Sequence, residues 1–215
     1  MCIRDRFPSV EQPIISVPLL KTQPDTGTTH TLLIGSSMTR DFNQWRLSRQ
    51  NSQVSVLSYS GCTFQKLITR LPTISKNLYV SSDKIGKVIL FIGSNDVMST
   101  KNIEHCFRDI DSMIESIKQL FPHAEISLIG VPPKSGKYLN KSIVTRIYAM
   151  NKYFKYVCLR ENLNFINIFW DFIHKDRFGN KVVKEELLRD GLHLSHWGVP
   201  IVRKRLRRVL YKSTI

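Results

Sequence analysis

The segment Val88-Ile89-Leu90-Phe91-Ile92 is apolar without interruption, so whatever element it forms must be covered on every side. It is short for a helix, and it stops at Gly93-Ser94-Asn95-Asp96, a turn-forming sequence. Lys87 to Ile92 therefore reads as a strand buried on both faces, the pattern of a central strand in a parallel sheet with helices above and below. The rest of the chain has to supply those helices and the neighbouring strands.

It does so in alternation. Strand patterns occur at Thr31 to Ile34, Gln53 to Tyr59, Glu125 to Ile129 and Asn164 to Ile168. Helical patterns fall between them: Arg40 to Asn51, then a segment from Phe64 that Thr63 can cap and Pro72 should bend or end. A long stretch follows with Phe107, Ile110, Met113, Ile114, Ile117 and Leu120 at helical spacing, then Lys141 to Asn162, and a last helix from near Ser195 past Leu210. Parallel neighbours need crossover connections, so the expected fold is α/β: a three-layer, doubly wound sandwich with a five-stranded parallel sheet in flavodoxin-like order. This domain is expected over residues 30–215. Residues 1–29, with Pro8, Pro13, Pro18 and Pro24, read as an extended or disordered arm.

Open α/β sheets keep their chemistry at the carboxyl ends of the strands. Gly35-Ser36-Ser37 follows the first strand, Gly61 the second and Asn95 the third. Far downstream, Asp190 stands three residues ahead of His193 on a glycine-containing turn, a spacing that places a carboxylate beside an imidazole ring. His196 falls near the start of the last helix and has no acid at that spacing. Each feature also has an ordinary explanation: serine as a turn residue, Asn95-Asp96 as an Asx turn, Asp190 as a cap. Phe169, Trp170 and Trp197 read as core aromatics, and Pro132-Pro133 as a rigid strand exit.

Composition narrows the functional classes. A formal charge of +15 suggests a polyanionic neighbour such as nucleic acid. The charge crowds the last helix, where Val199, Val202, Leu206 and Val209 should face the core and leave Lys204, Arg205 and Arg208 on the solvent side as candidate polyanion contacts. A solvated face that only aids solubility is the competing reading. Cys2, Cys62, Cys106 and Cys158 have neither zinc spacing nor a disulfide framework. No metal cluster and no phosphate-cradling Gly-x-x-x-x-Gly-Lys loop occurs. With no run of eighteen apolar residues and no apolar block of a secretory signal, a soluble intracellular protein without membrane insertion is expected.

Taken together, Gly35-Ser36-Ser37, Gly61, Gly93-Ser94-Asn95-Asp96 and Asp190-x-x-His193 resemble the blocks of the SGNH (GDSL-like) hydrolase family, in order and over roughly residues 31 to 210. The chain is similar too to the esterase-like domains of some animal retrotransposon proteins. The resemblance implies a serine esterase or acyl hydrolase that needs no cofactor and acts on a small acyl ester. Ser37 would be the nucleophile, His193 the base and Asp190 its partner. Ser37 N–H, Gly61 N–H and the Asn95 amide would form the oxyanion hole. An acyltransferase using the same residues is a close variant. Where the family has an aspartate before the nucleophile this chain has Ser36, so Ser36 and Ser37 both remain candidates, position in the block favouring Ser37. The alternative is a catalytically idle module of the same fold that binds nucleic acid or a protein partner.

Overall fold

The structure, a computed structural model, describes residues 29–211. The arm expected over residues 1–29 lies, apart from Thr29, outside the described residues. Strands β1 (Thr29–Gly35), β2 (Ser52–Ser58), β3 (Ile85–Phe91), β4 (Glu125–Ile129) and β5 (Asn164–Ile166) form one sheet in the order β2-β1-β3-β4-β5, parallel throughout. This is the doubly wound order expected. Helices α1 (Phe64–Lys76), α2 (Ser94–Met98), α3 (Ile103–Leu120), α4 (Lys141–Arg160) and α5 (Gly198–Leu210) complete the fold. Among the described residues, no helix is long and apolar enough to cross a membrane.

Period-two alternation in the strands divides the core between the two faces of the sheet. Leu32, Ile34, Val88, Leu90, Ile126 and Leu128 point to one side, where Leu67, Met113, Ile117, Met150 and Phe154 of α1, α3 and α4 cover them. Leu33, Ile89, Phe91 and Ile129 point to the other, against Val202, Leu206 and Leu210 of α5. The unbroken apolar run of β3, residues 88–91, is thereby buried on both faces, as its sequence requires.

Four expectations need correction. Arg40 to Asn51 is no helix but a loop with one short turn at Gln44–Arg46. Asn43 accepts hydrogen bonds from the N–H groups of Trp45 and Arg46, and Ser48 Oγ accepts from Val54 N–H; these local bonds outcompete a helical ladder, while buried Phe42 and Leu47 anchor the loop. Pro72 neither ends nor breaks α1, which runs on to Lys76 because Leu71 and Ile74 on either side of it are buried in the core. An antiparallel hairpin, β6 (Ile173–Lys175) with β7 (Lys181–Val183), stands ahead of α5 where the sequence pattern announces no strand. Trp170 and Trp197 are not core residues: they are 49% and 62% exposed, and Lys181 lies over the Trp170 ring.

The last helix buries Val199, Val202 and Leu206, with Val209 only partly covered. Lys204 and Arg208 face solvent. Arg205 does not stand free: its Nε and an Nη grip Asp171 at 2.8 and 2.6 Å, so the guanidinium ties α5 to the segment ahead of β6.

The register prepares the site. Gly35 pairs with Ser58 of β2 and with Phe91 of β3, so three strands end level. The residues that follow each of them, Ser36-Ser37, Tyr59 to Gly61 and Ile92 to Asn95, are delivered to one edge.

Candidate active site

Ser37 opens a single turn of 3-10 helix, Ser37–Thr39, directly after β1. Its hydroxyl lies 2.9 Å from His193 Nε2, and His193 Nδ1 lies 2.7 Å from Asp190 Oδ2. The other carboxylate oxygen, Oδ1, accepts from the backbone N–H of His193 at 2.7 Å and of Leu192 at 3.0 Å. One carboxylate thus closes the turn through Oδ1 and orients the ring through Oδ2. Burial pushes the Asp190 carboxyl up, but the His193 and Leu192 N–H groups and the His193 ring outweigh it and hold the group well below the usual carboxylate range.

The geometry separates the two serines. Ser36 is fully buried; its carbonyl accepts from Thr39 Oγ1 and Ser58 Oγ, and its hydroxyl has no partner among the described residues. Ser37 is half-buried and faces His193. His196 is exposed and packs on Trp197 instead.

Gly61 and Asn95 arrive from the neighbouring strand ends. Gly61 has φ +63°, a left-handed conformation that favours glycine, and a Cβ there would meet nothing within 4 Å. The residue therefore turns a bare backbone toward open space. Asn95 Nδ2 donates to the Cys62 carbonyl at 2.8 Å, which fixes the amide and leaves its second N–H to give. Burial pushes the Cys62 thiol up to about 11, and the carbonyl is the part of this residue that matters.

The sequence of residues 28–199 matches the model of the GDSL-like lipase/acylhydrolase family. The chain belongs to that family. Solved structures of GDSL hydrolases share its fold. A GDSL-like lipase from Bacteroides thetaiotaomicron superposes with a TM-score of 0.71 at 19% identity, over 88% of this chain and 91% of that one. The lipase/acylhydrolase from Enterococcus faecalis gives 0.66 at 21% identity, over 85% and 95%. The esterase domain of the ORF1 protein from the zebrafish ZfL2-1 retrotransposon is a looser match, with a TM-score of 0.44 at 25% identity over 84% and 97%. Among curated proteins, none matches the sequence.

Two further residues of this acylhydrolase escape sequence reasoning. Asp96, read as an Asx-turn residue, sends Oδ1 to the Phe64 N–H at the start of α1 (3.2 Å), while Oδ2 is buried without a partner among the described residues. Burial raises its carboxyl from the ordinary 3.8 to about 6. A group raised in the folded state favours folding below the unfolded value, and that advantage is lost as pH climbs through the folded one. Above pH 6 the buried Asp96 carboxylate therefore costs about 3 kcal/mol, at roughly 1.4 kcal/mol for each tenfold change in proton affinity. Asp96→Asn keeps the acceptor and is expected to raise stability to urea at pH 7, the gain shrinking as pH falls from about 6 toward 4. Equal unfolding midpoints at pH 7 would refute this. The second residue is Lys134, taken up below.

A groove of about 760 Å³ lies between the loop carrying Asp41 and Arg46 and the start of α5, lined also by Arg189, Trp197 and Arg203. Neither Ser37 nor Asn95 nor His193 lines it. The candidate residues occupy the open edge of the sheet instead.

Proposed function

We propose that this GDSL-like acylhydrolase is a serine esterase that cleaves a small acyl ester by way of a covalent acyl-enzyme. The observation that carries the reading is the continuous relay from Ser37 Oγ to His193 Nε2 and from His193 Nδ1 to Asp190, at 2.9 and 2.7 Å. Ser37 Oγ attacks the acyl carbon as its proton passes to Nε2, and Asp190 stabilises the imidazolium. The oxyanion so formed is received by the N–H groups of Ser37 and Gly61 and the free N–H of Asn95, with one such donor worth about 2.7–4 kcal/mol. When the ester C–O bond breaks, His193 returns the proton to the leaving alkoxide. Water then attacks the acyl-serine, its proton again taken by His193, and the carboxylic acid leaves with Ser37 restored. His193 takes the proton of Ser37 only through an unprotonated Nε2.

Labelling by a fluorophosphonate tests the reading directly. Wild type and Ser36→Ala are expected to label at residue 37 and to hydrolyse p-nitrophenyl acetate; Ser37→Ala is expected to do neither. An inactive module of the same fold predicts no labelling in any of the three. Labelling lost on Ser36→Ala but kept on Ser37→Ala would move the nucleophile to the buried serine.

A further inference from the structure

Lys134 follows the two prolines at the exit of β4 and has none of its surface exposed. Lys87, nearly as buried, is paired with Glu125 at 3.0 Å. Lys134 has no carboxylate within ion-pair distance among the described residues, a costly position for an ammonium group. What it has are two oxygens. Its Nζ donates to Ser94 Oγ at 2.9 Å and to the Leu192 carbonyl at 3.4 Å.

Those two acceptors belong to opposite halves of the site. Ser94 opens α2 and precedes Asn95, whereas Leu192 lies between Asp190 and His193. The next residue extends the seam, for Ser135 N–H donates to the Gly191 carbonyl at 3.0 Å. Ser94 is only 5% exposed, so the Ser94–Lys134 pair offers no nucleophile to a substrate. Resting on the roles of Ser37, His193 and Asp190 given above, the geometry points to Lys134 as a positioning residue: it holds the loop that carries acid and base in fixed relation to the helix start that carries Asn95.

Electrostatics agrees with that placement. Burial lowers the Lys134 ammonium to about 7, and the attraction of Asp190 opposes it. Asp190 is the charge it faces on the loop; on α2 it meets the Ser94 hydroxyl, since Asp96 is turned to Phe64. On the acid side of neutrality Lys134 is thus a buried cation that faces Asp190.

The test measures p-nitrophenyl acetate hydrolysis from pH 5 to 9 in wild type, Ser37→Ala, Lys134→Met, Ser94→Ala and the Lys134→Met/Ser94→Ala double variant. Lys134→Met is expected to lower kcat by about 10- to 100-fold with KM nearly unchanged, since misplacement of an aligned group acts on the chemical step. Ser94→Ala is expected to lower kcat several-fold, with losses in the double variant less than multiplicative. Dependence on Ser37 together with a Lys134→Met enzyme of wild-type kcat would overturn the role of Lys134. Turnover independent of Ser37 would instead overturn the assignment of the site. Should Lys134→Met not fold, Ser94→Ala decides: wild-type kcat there removes the bridge.

Discussion

Asp190→Asn is expected to lower esterase turnover by about 10⁴ while the fold and KM are retained. An asparagine can keep its oxygen where Oδ1 accepts the His193 and Leu192 N–H groups, which forces its NH2 toward His193 Nδ1. Nδ1 must then accept rather than donate, the proton moves to Nε2, and Nε2 can no longer take the proton of Ser37. Steady-state kinetics on p-nitrophenyl acetate beside a circular dichroism spectrum checks this. A folded variant within tenfold of wild-type kcat would remove Asp190 from the mechanism. The substitution also has a stability signature of definite sign. Because the Asp190 carboxyl is depressed in the folded protein, its contribution is present above the ordinary aspartate value and is lost as pH falls through the folded one. Wild type should shed that increment in strong acid, and the variant has none to shed.

Gly191→Ala should produce a large loss of stability, on the order of 3 kcal/mol or more. Gly191 has φ +79°, where a side chain is strained, and a Cβ would sit 2.5 Å from the Ser135 carbonyl oxygen, a backbone atom that no rotamer change can move. Relief requires parting the loop from the β4 exit, which breaks the Ser135 N–H to Gly191 hydrogen bond. Urea unfolding should show the midpoint shift, and kcat should fall with it, since Gly191 sits between Asp190 and His193. An alanine variant as stable as wild type would mean that the loop does not rest on Ser135.

The elements legible in the chain are those whose pattern is local and whose burial is complete. The apolar run of β3 and the helical spacing of α3 admit few alternatives, and Asp190-x-x-His193 joins acid and base through three residues of spacing. The segment after Ser37 misleads because Phe42, Trp45 and Leu47 imitate a helical face, while the side chains of Asn43 and Ser48 bind the backbone and spend its hydrogen bonds elsewhere. The β6–β7 hairpin escapes notice because its strands are three residues each and lie mostly exposed, joined by a turn that Asp176 organises. Arg205 and Lys134 are hidden for a different reason. Their partners, Asp171, Ser94 and Leu192, lie tens of residues away, and no spacing rule announces a lysine that packs inward.

The loop that carries Asp190 and His193 is closed at its base, since Leu188 bridges Leu194 and the Arg189 N–H donates to the His193 carbonyl at 2.9 Å. Asp190 and His193 are thereby passengers on one small backbone ring. Were that ring to swing away from Ser37, both would depart in a single event. Loss of activity on gentle heating should accordingly be all-or-none for each molecule, a shrinking population of fully competent enzyme rather than a uniformly enfeebled one.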